Sequence, residues 1–273
     1  MPSILHSGRI IYALALVGFG GVCLGFVNFL NSLQPVPDWL PGHDLLAIVV
    51  GAVLVLAGLA ILAGVKARPA ALAVAGMFAL AIVLLHVPSA FTNPELLRSP
   101  WWIRTFESLA LGAAAFIVAE LARDPPRETW LRAGRIAFGV ALPVFGVLHF
   151  VYPESVAMLV DAAPVPFPWP MLWAYLTGAG HFAAGIAIAS GVMARLAAIV
   201  AGFMYASWAV TLHLPRVLGD LPLRTAENPV GYAGNRQEFT STLVCIAFWG
   251  AAWLVAGSLK KRDPLPARPL RHE

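Results

Sequence analysis

Charged side chains are scarce in this 273-residue chain. Lys and Arg number 18 and Asp and Glu 14, together 12% of the residues, where soluble domains carry about 25%. So few charges cannot cover a water-facing surface, which excludes a soluble globular fold. Cysteine is nearly absent: Cys23 and Cys245 both fall in long apolar runs and form no CxxC pair, so neither a disulfide framework nor a thioredoxin-like site is indicated. The chain also lacks period-2 alternation, a Gly-rich phosphate loop, a Ser-His-Asp order, an HExxH pair and a CxxCH attachment signal. A spanning barrel, a nucleotide site, a hydrolase triad, a zincin centre and a c-type haem are thereby unsupported.

What is present is apolar. Hydrophobic residues make up 59% of the chain and the mean hydropathy is +0.78. In lipid the backbone must satisfy its own hydrogen bonds, and runs rich in Ala, Leu and Gly do this as helices. A span needs roughly 20 residues, and eight runs near that length occur, at 10–30, 45–65, 70–87, 103–121, 134–152, 171–193, 196–214 and 239–258. Prolines punctuate the connections, among them Pro35, Pro37 and Pro41, Pro88 and Pro94, Pro125 and Pro126, and the stretch 164–170. The first run reads as an anchor span and not a cleaved leader, because no small-residue cleavage pattern follows it.

The net charge of +4 is explained by topology, with no nucleic-acid partner implied. With eight spans, one side of the membrane holds Arg9, Lys66, Arg68, Arg123, Arg127, Arg132, Arg135, Arg195, Lys260, Lys261, Arg262, Arg268 and Arg271. The other holds only Arg98, Arg104, Arg216, Arg224 and Arg236. The positive-inside rule then puts both termini in the cytoplasm. Trp39, Trp101, Trp102, Trp169 and Trp130 sit at span ends, as an interfacial aromatic belt requires.

The chain repeats itself. A shift of 127 residues lays Pro37 on Pro164, Pro41 on Pro168, Gly51 on Gly178, Gly58 on Gly185, Gly64 on Gly191, Arg68 on Arg195, Met77 on Met204, His86 on His213 and Pro88 on Pro215. Gly8-Arg9 and Gly134-Arg135 coincide at 126, and the segment from Arg104 to Glu107 resembles that from Arg236 to Glu238. A unit of four spans is even-numbered, so both copies enter the membrane in the same sense, as parallel repeats about an axis along the membrane normal. The expected fold is all-α: eight transmembrane helices in two parallel-repeat four-helix bundles, with a first unit at 1–124, a linker at 125–133, a second unit at 134–259 and a basic cytoplasmic tail at 260–273. Paired glycines seven residues apart, Gly51 with Gly58 and Gly178 with Gly185, share a helical face and read as close-packing positions.

Gly134-Arg135, His149-Phe150 with Tyr152-Pro153-Glu154, the prolines of 164–168, Thr177-Gly178 and Asn235-Arg236-Gln237-Glu238 together resemble the DoxX-like family of bacterial integral membrane proteins. Each half corresponds to one four-helix unit. The resemblance implies a multi-pass protein of the bacterial inner membrane, associated with quinone-linked oxidoreductase chemistry. The first half departs from the pattern, with Cys23 in place of His149 and Leu54 in place of His181.

Ionisable groups inside spans are the functional candidates. At 1.5 Å per residue, His149 and His181 fall at similar depth, with His213, Arg236 and Glu238 nearer the outer face, so these five define a candidate pocket in the second unit. Three readings are open for it: polar fastening of helices, with each imidazole bonded to a carbonyl, Thr177, Ser207 or Glu238; a small-molecule or quinone site, with a neutral His donating to a carbonyl and Arg236 steadied by Glu238; or metal or haem ligation by facing imidazoles. Arg104 with Glu107 reads as a local ion pair, and Glu120 as a partner of Arg123 or of headgroups. At the level of the whole protein, a redox-associated or quinone-interacting component, perhaps with a membrane or peripheral redox partner, stands against a small-molecule transporter and a non-catalytic scaffold.

Overall fold

A computed structural model describes residues 3–30, 33–92, 102–161, 168–220 and 231–259. Arg98, Arg224, Trp101, the stretch 164–167 and the basic tail 260–273 lie outside the described residues. The helices are α1 (Ile4–Phe26), α2 (His43–Ala63), α3 (Ala67–Ala81), α4 (Val87–Thr92), α5 (Ile103–Leu121), α6 (Glu128–Val151), α7 (Pro153–Asp161), α8 (Pro170–Ser190), α9 (Ala194–Trp208), α10 (Leu214–Asp220) and α11 (Gly231–Ser258). No strand occurs among the described residues. Seven helical segments are long and apolar enough to cross a membrane: Ile4–Phe26, His43–Ala63, Ala67–Thr92, Glu128–Val151, Pro170–Ser190, Ala194–Leu218 and Arg236–Ser258. The remaining long helix, α5, has the length but carries Arg104, Glu107 and Glu120.

Several ends differ from the sequence expectation. Helix α1 starts at Ile4, where the Ser3 side chain accepts from the His6 amide at 3.3 Å, a polar cap that hydropathy does not see. Helix α6 starts at Glu128, inside the expected linker, and α7 was not anticipated. Two π-helical turns, Ile82–His86 and Ala209–His213, join α3 to α4 and α9 to α10. Their cause is local. Pro88 and Pro215 have no N–H and crowd the carbonyl four residues back, and the preceding amides of Val87 and Leu214 reach five residues back, to Ile82 and Ala209.

The 127-residue correspondence extends to the backbone. Gly42 and Trp169, Gly64 and Gly191, and Lys66 and Met193 all have positive φ, between 49° and 83°. Each pair occupies the same place: the start of α2 or α8, its end, and the residue before α3 or α9. A left-handed Trp169 and Lys66 are costly for L-residues, and their recurrence at matched positions marks a shared backbone course.

Packing follows the same duplication and interlocks the halves. Helix α1 packs along α2, and α6 along α8; α3 lies on α5, and α9 on α11. The last helix of each half leans on the first helix of the other, α11 on α1 and α5 on α6, and α5 meets α11 between them. One hydrophobic core therefore runs through both halves, from Phe19, Leu54 and Phe78 to Phe138, Phe145 and Phe248. The paired glycines are contact points. A Cβ on Gly58 would meet the Ala13 carbonyl at 2.7 Å, and one on Gly185 would strike Pro143.

Candidate functional site

A cavity of about 310 Å³ opens among α5, α6, α8, the α9–α10 rod and α11. His149, His181 and His213 all line it, so three of the five candidates converge. Helix geometry explains how. His149 lies in the last turn of α6 and His181 in the middle of α8, helices that run closely together because Gly178 has no side chain; a Cβ there would meet the Cβ of His149 at 2.7 Å. The two imidazoles are consequently level, with ring centroids 5.0 Å apart.

Hydrogen bonding fixes their chemistry. His149 Nδ1 is 2.7 Å from the Phe145 carbonyl and His181 Nδ1 is 2.8 Å from the Thr177 carbonyl. A carbonyl only accepts, so each Nδ1 carries the proton and each neutral ring presents Nε2 as a lone pair. This reverses the sequence expectation that a neutral histidine would donate to a ligand carbonyl: the donor is already used one helical turn away. His149 Nε2 is buried without a hydrogen-bond partner, and so is the Tyr205 hydroxyl on α9. The residues carrying these two atoms are 6% and 7% exposed and line the same cavity.

The remaining candidates separate. His213, the last residue of its π turn, lies 3.3 Å through Nδ1 from Glu238, whose other oxygen is 3.7 Å from Arg216. Arg216 also donates to the Leu159 carbonyl at 2.7 Å, tying α10 to α7. Glu238 stands behind His213 and does not line the cavity. Arg236 does not line it either, and among the described residues it is not the partner of Glu238. Positions two apart on a helix point to different faces, so the expected pairing of these two gives way to Arg216. Thr177 and Ser207 bond backbone carbonyls of their own helices, not the imidazoles.

The walls include residues that the sequence did not single out as site members. Arg104 and Glu107, one turn apart on α5, face the cavity from the first half of the chain, and Tyr205, Trp208, Gln237, Ser241 and Cys245 complete its polar and aromatic lining. Phe145 meets His181 edge-on at 5.8 Å and Trp208 lies 5.8 Å from His149. Glu120 is not a cavity residue. It takes a two-pronged contact from Arg127 at 2.8 and 3.2 Å, and so is bound to a cation seven residues away, not to Arg123. Among the described residues no group of three or more His, Cys, Asp or Glu is placed to hold a metal ion.

The corresponding place in the first half is closed. At shifts of 126 or 127 residues Phe145, His149, His181, Tyr205 and Trp208 correspond to Phe19, Cys23, Leu54, Phe78 and Ala81. Cys23, Leu54 and Phe78 are 0% exposed and belong to the core. His86, the counterpart of His213, is held at Nε2 by the Leu33 carbonyl at 3.0 Å, a carbonyl that also accepts from Ser108 at 3.2 Å.

A family model for DoxX matches this chain twice, over residues 4–87 and again over 130–214. No curated protein and no solved structure matched it.

Proposed function

The chain belongs to the DoxX family of membrane proteins, and on that premise we propose that it binds the headgroup of a reduced quinone, or a similar small hydroxylated aromatic, in the cavity of its second half. The observation that carries this reading is the pair of unsatisfied atoms, His149 Nε2 and the Tyr205 hydroxyl, in an otherwise apolar, aromatic-walled space. An unmet buried polar group costs about 1–3 kcal/mol, and a ligand hydroxyl satisfies both, accepting from Tyr205 and donating to His149. A volume of about 310 Å³ lies at the lower end of small-molecule sites, roughly 300–1,000 Å³, which suits one aromatic ring and not a macrocycle. Facing imidazoles with no third ligand give metal or haem less support.

The same reading includes the membrane arrangement: two units, 1–124 and 134–259, inserted in the same sense in the bacterial inner membrane, with α5 as the eighth span and both termini cytoplasmic. The charges of α5 are consistent with spanning, since Arg104 and Glu107 face the cavity and Glu120 is covered by Arg127. Reporter fusions after Pro41 and after Pro168 read as periplasmic, and fusions after Arg127 and at the C-terminus as cytoplasmic; the opposite result at either pair defeats the arrangement.

The binding test is titration of the purified protein with decylbenzoquinol and with its oxidised quinone, read by quenching of tryptophan fluorescence. Acceptor nitrogens favour the reduced form, by about tenfold for one hydrogen bond near the upper end of its usual net worth. Tighter binding of the oxidised form, or no saturable binding of either, overturns the proposal.

A further inference from the structure

The end of the molecule remote from this cavity carries a second site. There the two halves treat matching arginines differently. In the second half Arg135 donates to the Ser258 carbonyl at 3.2 Å and pairs with Glu128. Arg195 donates to the Ala256 carbonyl at 3.0 Å. Both guanidinium groups are used up in holding the end of α11. Their counterparts are Arg9, at a shift of 126, and Arg68, at a shift of 127. Neither has a hydrogen bond or an ion pair: Arg9 Nε and Arg68 Nε are buried with no partner, and Arg123 Nε, just beyond the end of α5, is in the same condition.

These three residues surround one space. A cavity of about 290 Å³ is lined by Ser3, His6 and Arg9 at the start of α1, by Ala67 at the start of α3, and by Leu121 and Ala122 at the end of α5. The Arg9 guanidinium reaches the turn between α2 and α3, where a Cβ on Gly64 would stand 3.8 Å from its Nη1. Arg68 and Arg123 each adjoin a lining residue. Two helix N-termini, those of α1 and α3, open at this space with no acidic residue in either first turn, and their dipoles favour an anion. The C-terminus of α5 opposes this, but its carboxylate Glu120 is neutralised by Arg127, and Asp124 is exposed.

We infer that this cavity is a binding site for a phosphate group of net negative charge, held by Arg9, Arg68 and Arg123, and that the headgroup of an anionic phospholipid supplies it. An arginine fork matches phosphate oxygens geometrically, and the site opens where the sequence places the basic, cytoplasmic side. It is independent of the quinol reading, since it shares no residue with that cavity.

Native mass spectrometry of the full-length protein, titrated with phosphatidylglycerol and with phosphatidylcholine, tests it. The first phosphatidylglycerol binds at least about tenfold more tightly than phosphatidylcholine, each basic group near the surface contributing about fivefold. Arg9→Gln and Arg68→Gln each lose about that factor, Arg9→Lys loses less, and Arg132→Gln, which removes an exposed charge on the same side, loses none. Displacement of the bound phosphatidylglycerol by millimolar inorganic phosphate identifies a free anion as the competent source; resistance to it identifies the lipid. Equal binding of the two lipids by the unsubstituted protein overturns the site, as does an Arg132→Gln loss matching that of Arg9→Gln. Should Arg9→Gln fail to fold, Arg68→Gln and the lipid comparison on the unsubstituted protein decide the matter.

Discussion

His86 and His213 end the same five-residue π turn, two residues before a proline, and both are buried. The first is locked onto Leu33 in a closed core; the second faces a cavity and leans on Glu238. The duplicated backbone thus fixes where a side chain is delivered, while what it can do depends on the residues delivered beside it. Leu54, Cys23 and Phe78 fill the space in the first half, and the polar groups of His181, His149 and Tyr205 leave theirs open in the second. The same contrast recurs at the opposite end, where Arg135 and Arg195 are spent on helix carbonyls and Arg9 and Arg68 are not.

The largest effect is expected from forcing the polar set into the closed half. Cys23→His combined with Leu54→His overpacks a core with no cavity and buries two imidazoles, costing about 3 kcal/mol or more. Expression yield and thermal unfolding in detergent report it, and a variant as stable as the parent would erase the distinction between the halves. Next come the helix contacts. Gly58→Val and Gly185→Val each press a side chain into a neighbouring helix and destabilise by about 1–3 kcal/mol, and the two midpoints fall together if the interfaces are equivalent. A smaller effect separates Gly42 from Trp169. Gly42→Ala destabilises and Trp169→Gly stabilises, each by about 1 kcal/mol, because only the native glycine tolerates positive φ without steric cost. Shifts of the same sign would show that the matched φ values are not matched constraints.

Much of this was legible in the sequence. Seven of the eight apolar runs correspond to helices able to span, and the eighth is a helix whose three charges set it apart. The level placement of His149 and His181 follows from counting residues along two helices. What sequence counting misses is set by contacts between helices. The part taken by Arg104 and Glu107 depends on α5 packing against α6 and α11, which no local pattern records. The pairing of Glu238 with Arg216 in place of Arg236 depends on where α10 lies. Two omissions did carry a signal: the same 127-residue shift that sets Leu54 beside His181 also sets Phe78 beside Tyr205 and Ala81 beside Trp208, so polar or larger residues appear in the second copy wherever the cavity wall was to be built.

The most direct test of the contrast is to write the first half's residues into the second. In the variant His149→Cys, His181→Leu, Tyr205→Phe, replacing polar partners together with apolar groups leaves folding nearly unaffected, so thermal unfolding and monodispersity should match the parent. Fluorescence titration with decylbenzoquinol should give one saturable site per chain in the parent and none in the variant. Two sites in the parent, or undiminished binding in the variant, would contradict the claim that the duplicated fold carries its ligand cavity in the second half alone.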